Sequence, residues 1–84
     1  MPVISRFYGI VIKMYFQQSE HNPPHVHAVY GECIGAIDLK TLKMLEGDLP
    51  PKALKLVQEW IELNQNELLK MWETQDFHQI PPLE

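Results

Sequence analysis

The stretch His25-Val26-His27-Ala28-Val29-Tyr30-Gly31-Glu32-Cys33-Ile34-Gly35-Ala36-Ile37-Asp38-Leu39 reads as a β-hairpin. Residues His25 to Tyr30 form one strand. Side chains alternate along a strand, so Val26, Ala28 and Tyr30 share a face that suits the core, and His25 and His27 project from the other. Gly31-Glu32 fits a two-residue turn in which glycine supplies a positive φ. Cys33 to Leu39 then returns antiparallel to the first strand.

Upstream, Arg6 to Phe16 is rich in β-branched and aromatic residues and reads as one further strand. Its Tyr8, Ile10, Ile12, Met14 and Phe16 would line a uniformly apolar face. Phe7, Gly9, Val11, Lys13 and Tyr15 would line a mixed one. Gln17 to Pro24 is polar, and two consecutive prolines exclude helix there. Downstream, Leu42 to Leu45 suits a short fourth strand. Gly47-Asp48-Leu49-Pro50-Pro51 marks the change to helix, with proline fitted to a first turn.

From Lys52 to about Glu73, Leu54, Val57, Ile61, Leu68 and Trp72 recur at helical spacing, and Leu56, Trp60 and Leu63 widen the stripe. Lys55, Glu59, Glu62 and Asn66 fill the opposite side. The expected fold is α+β: a small antiparallel sheet of three to four strands with one long C-terminal helix packed on one face. A single domain over residues 1–84 is expected, with a sheet-forming part at 3–45, a helix at 50–73 and an extended tail at 74–84.

The 84 residues are 45% hydrophobic and 21% charged, in the globular range. One cysteine, Cys33, excludes an intramolecular disulfide. The N-terminal residues lack the basic start and apolar run of a signal peptide, and no stretch nears the ~20 apolar residues that span a bilayer. A cytoplasmic location is the expectation by elimination. Asp and Glu outnumber Lys and Arg by 11 to 7, for a net charge of −4. Phosphate-backbone binding is driven by basic residues, so a general nucleic-acid binder is disfavoured.

The chemically distinctive segment is His21-Asn22-Pro23-Pro24-His25-Val26-His27, three histidines spaced His-x3-His-x-His. His25 and His27 on one strand face can share an ion, and His21 can fold back across the prolines. Three imidazoles with an open fourth position suit catalytic zinc, and other transition metals accept imidazole too. Glu20 or Glu32 could be a fourth ligand or support one from behind. A metal-free reading is equally concrete. His25 and His27 can act as general acid and base, because an imidazole near pKa 6.5 holds both forms accessible. Arg6 or Lys13 would hold a phosphate and Tyr8 or Tyr15 would position it, which would suit RNA cleavage. The bland reading is that the histidines and prolines only shape a loop. A cupin-like metal motif is rejected because the chain is too short and the glycine spacing is wrong.

Elsewhere Trp60 and Trp72 extend the apolar stripe and read as core or interface. Cys33 has no second thiol or basic run beside it, which argues against a nucleophile. His78 reads as solvated.

The segments Ile4-Ser5-Arg6-Phe7-Tyr8-Gly9-Ile10-Val11-Ile12, His21 to Ala28, Leu45-Glu46-Gly47-Asp48-Leu49-Pro50, Glu59-Trp60 and Glu67-Leu68-Leu69 together resemble the family called domain of unknown function 4160. The likeness runs through nearly the whole chain. It implies a small prokaryotic protein, often encoded beside a second small protein of another unknown-function family, number 2442, in pairs that look like toxin–antitoxin modules. It also implies a protein partner, with His21, His25 and His27 as the matching site. The chain departs from the family at Asn64 and Met71, where members often carry His and Asn. The resulting expectation is one half of a two-protein module working through the histidine cluster, with catalytic His25 and His27 and Arg6 as anion holder. The alternative is a non-enzymatic metal-binding or adaptor domain, or self-association through the same small unit.

Overall fold

The computed structural model describes residues 3–14 and 23–83. Among them, β1 (Val3–Phe7), β2 (Ile10–Lys13), β3 (His25–Tyr30), β4 (Cys33–Asp38) and β5 (Met44–Gly47) form one antiparallel sheet in the order β1-β2-β3-β4-β5. Helices α1 (Pro51–Leu63) and α2 (Gln65–Thr74) follow. The α+β class and the antiparallel sheet are as expected. Five strands replace three to four, and two helices replace one long one.

The extra strand comes from a turn inside Arg6–Phe16. Tyr8 and Gly9 have φ of +49° and +80°, and Phe7 pairs directly with Ile10. Two positive-φ residues between paired strands make the tight turn whose twist matches a right-handed hairpin. Phe7 and Ile10 therefore share the inner face and both are buried, whereas Tyr8 sits at the tip, 59% exposed. The expected assignments of Phe7 to the mixed face and Tyr8 to the core are reversed. Ile10, Ile12 and Met14 are core as expected. Tyr15 and Phe16 lie outside the described residues.

The turn at Gly31-Glu32 forms where expected, with Tyr30 paired to Cys33. Asp38 organises the next reversal. Its carboxylate accepts the N–H groups of Lys40 (2.7 Å) and Thr41 (3.0 Å), while its carbonyl accepts Leu42 N–H. This leads into β5, two residues later than the Leu42–Leu45 segment suggests.

Ala53, Val57, Trp60 and Ile61 of α1 and Leu68, Met71 and Trp72 of α2 bury the inner face, meeting Ile10, Ile12, Val26, Ala28 and Ile37. The helices part at Asn64, whose φ of −119° leaves the helical range. Its side-chain amide donates to the Trp60 carbonyl at 2.9 Å, competing with the backbone ladder there. Leu63, expected in the buried stripe, is exposed beside this break, whereas Trp60 and Trp72 are core. Beyond α2 the tail runs extended. Ile80 is buried and its N–H reaches the Ile4 carbonyl at 2.7 Å, and the Trp60 indole N–H donates to the Pro81 carbonyl at 3.0 Å. Among the described residues no helix is long and apolar enough to cross a membrane.

Gly47 ends β5 at φ +88°, and a Cβ there would collide with the Ile34 carbonyl and the Gly35 backbone. At Gly31, φ +61°, nothing lies within 4 Å of the added atom. Gly47→Ala is accordingly expected to cost about 3 kcal/mol or more, through strain and overpacking together. Gly31→Ala should cost only the left-handed backbone penalty of about 1 kcal/mol. Urea unfolding followed by circular dichroism compares the two, and equal losses would contradict the close approach of β5 to β4.

Candidate functional site

Alternation along β3 sends Val26 and Ala28 into the core and His25 and His27 to the opposite face. The two imidazoles stand edge to face with ring centroids 5.1 Å apart. The Trp72 ring of α2 lies 5.0 Å from His25, closing one side of the pair at the end of the sheet. His25 Nδ1 is 2.8 Å from the Pro23 carbonyl. A carbonyl only accepts, so Nδ1 carries the proton and the neutral ring keeps its lone pair on Nε2. Pro23 thus sets the tautomer of His25 from two residues away.

The strand register places other groups around the pair. Lys13 of β2 is directly opposite His27, and on the other side come Ala36 of β4 and then Glu46 of β5. Asp38 pairs with His25, but its carboxylate is already engaged by the turn that it organises. His27 is half-buried, and desolvation pushes its pKa below 6.5. The neighbouring His25 pushes the same way, and the more distant Glu46 opposes both.

The expected site residues are brought together only in part. His25 and His27 meet. Arg6 points to the same face but pairs with Val11, two strands and one row away, which is roughly 12 Å at ~4.8 Å per strand and ~3.4 Å per residue. Lys13, the other candidate anion holder, stands directly opposite His27 on the adjacent strand. Glu32 occupies the β3–β4 turn at the far end of the strand, and Glu46 is the carboxylate in the His27 row. Tyr8 is at the β1–β2 turn, again away from the imidazoles. His21, Glu20 and Tyr15 lie outside the described residues. Among the described residues no three His, Cys, Asp or Glu side chains group in a way that could hold a metal ion. Glu46 went unnoticed in the sequence because only the β4–β5 register connects it to His27.

A groove of about 420 Å³ opens at the other end of the sheet, between Tyr8, Tyr30, Pro50, Leu56 and Leu83. No histidine lines it. His78, outside the cluster, is exposed, and its Nε2 is 2.6 Å from a Glu67 carboxylate oxygen. That hydrogen bond raises its pKa above 6.5.

The two histidines therefore bias stability with opposite sign. Unfolding raises the His27 pKa to about 6.5, so its contribution is complete above that pH and falls as pH drops through the interval below it. The His78 contribution is complete below pH 6.5 and is lost as pH rises through its raised pKa. In a proton NMR titration His27 should titrate below 6.5 and His78 above it. Glu67→Gln should lower the His78 midpoint and leave that of His27 in place, and a joint shift would show that the two assignments are wrong.

The sequence model of the family described as Domain of unknown function (DUF4160) matches residues 9–73. No curated protein and no solved structure matches the chain.

Proposed function

The chain belongs to the family Domain of unknown function (DUF4160), and on that premise we propose that it is one component of a two-protein, toxin–antitoxin-type module whose working site is the His25–His27 pair. The observation that carries this reading is the pairing of two imidazoles at 5.1 Å with a lysine on the adjacent strand position. The pair acts as general base and general acid on a phosphodiester of RNA. His27, held neutral by burial, takes the proton of a ribose 2′-hydroxyl as that oxygen attacks the neighbouring phosphorus. The bond from phosphorus to the 5′ oxygen breaks, and His25 in its imidazolium form gives that oxygen its Nε2 proton. Lys13 offsets the charge of the phosphate oxygens. An overall charge of −4 makes a local site a better fit than a broad nucleic-acid surface.

A second reading has its own support. A histidine that donates Nδ1–H to a backbone carbonyl and presents Nε2 is oriented as metal-ligating histidines usually are. In that case the chain is a metal-binding or adaptor domain, with His21 as the candidate third ligand and zinc or a similar ion as the cofactor.

Expression of the chain alone should impair growth of a bacterial host, and His25→Ala or His27→Ala should each relieve it, with loss of RNA cleavage by 100-fold or more. Elemental analysis of tag-free protein separates the readings. A stoichiometric ion that disappears in the double variant favours the metal site. Harmless high-level expression with no partner recovered by pull-down would eliminate the module.

A further inference from the structure

The helices cover one face of the sheet, and the opposite face carries an ordered pattern. One cross-strand row runs Arg6, Val11, Val29, Ile34 over β1 to β4. At its far end stands Asp48, whose N–H donates to the Ile34 carbonyl. The next row runs Val3, Lys13, His27, Ala36, Glu46 over all five strands. Three β-branched side chains thus lie side by side, with Ile34 54% exposed in the middle of a sheet. Charge is divided across them. The β1–β2 flank holds Arg6 and Lys13, and the β5 flank holds Glu46 and Asp48.

We propose that this face packs against the same face of a second copy of the chain, forming a two-sheet sandwich whose twofold axis runs parallel to β3. The charge division selects both the occupant and the axis. A twofold across the strands would stack each flank on itself, placing Arg6 over Arg6 and Glu46 over Glu46. A twofold along β3 places the basic flank of each copy over the acidic flank of the other, so that Arg6 faces Asp48 and Lys13 reaches Glu46, each pair occurring twice. The two Val11-Val29-Ile34 rows then meet at the centre, and aligned sheets pack about 10 Å apart in this way.

The sheet edges offer poorer routes to association. The tail bonds to β1 through Ile80 and Ile4, and β5 is four residues long with a bulge opposite Ala36 and Ile37, a device that discourages edge pairing. The face itself measures roughly 20 Å across the strands at ~4.8 Å per strand, with two full rows along them. This is less than the ~800 Å² per partner of a tight complex, so the dimer is a weak one that exchanges with monomer. His25 lies in the outermost row, beyond the two rows that pack, whereas Lys13 and His27 lie in a row that the dimer covers, so the chemistry assigned to them belongs to the monomer with which the dimer exchanges. The proposal does not depend on the chemistry assigned to those imidazoles.

Sedimentation equilibrium of the full tag-free chain from about 10 µM to about 1 mM, at pH 7.5, is the test. A monomer–dimer equilibrium is expected. Ile34→Glu and Val29→Glu should each weaken it at least tenfold, with the circular dichroism spectrum and Tm kept near those of the parent chain. Lys13→Glu and Glu46→Lys should each weaken it, and the double exchange should restore it, because a homodimer with swapped flanks is complementary again. A monomer throughout that range would overturn the proposal. So would a dimer indifferent to Ile34→Glu and Val29→Glu, or a double exchange no tighter than the single ones. None of these results touches the growth and cleavage assay of His25→Ala, so the two ideas fail separately.

Discussion

The pairing register of β3 is the constraint from which the rest follows. It is the central strand of five, bonded on both sides, and its alternation is strict: Val26 and Ala28 are sealed under the helices while His25 and His27 stand on the other face. A slip of one residue would drive two imidazoles into the core and expose two apolar side chains, a reversal that neither β2 nor β4 permits. Because β3 is held on both sides, the rows across the sheet are fixed as well. The positions of Lys13 and Glu46 relative to His27 are consequences of that register, with no need for direct contact among the three side chains.

The ends of β3 then acquire different characters. At its start, α2 swings Trp72 against His25, and Pro23 holds the tautomer of the same ring. Two glutamines anchor the helices to the reversal after β4, Gln58 to the Leu42 carbonyl and Gln65 to the Leu39 carbonyl, each at 2.7 Å. The helices are thereby tied to the sheet end that carries the imidazoles. At its finish, β3 reaches Tyr30 and the aromatic groove shared with Tyr8 and Leu83. The two neighbouring imidazoles thus stand at one end of one strand and the aromatic groove at the other.

Much of this was legible in the sequence, for identifiable reasons. The β3–β4 hairpin could be read because Gly31 marks its turn and the apolar and polar positions alternate on each side. The histidines on one face followed from the same period of two. The β1–β2 hairpin was concealed, since Tyr8 in a left-handed conformation is an uncommon turn residue and the flanking apolar run continues through it unbroken. Asn64 concealed the helix break for the complementary reason: one asparagine in a long periodic stripe is ordinary, and only its competition for the Trp60 carbonyl makes it an interruption. The placement of Arg6 and Lys13, and of Glu32 and Glu46, relative to the imidazoles belongs to neither local signal. It depends on which residues face each other across strands: the hidden β1–β2 turn sets Arg6 opposite Val11, whereas the β2–β3 and β4–β5 registers set Lys13 and Glu46 relative to His27.

The same register explains why the two imidazoles of one pair are not equivalent. His25 sits in the last row, where Pro23 claims one nitrogen and the Trp72 ring lies beside it. His27 sits one row further in, flanked by strands on both sides, and burial lowers its pKa, which the Glu46 carboxylate two strands away only partly counters. Environments that separate the protonation behaviour of two neighbouring groups are what acid–base chemistry requires, because identical groups would take up and release protons together. Here the separation needs no special residue. It arises because one histidine is at the margin of the sheet and the other is within it, so a displacement of the pair by two positions along β3 would preserve the face and abolish the asymmetry.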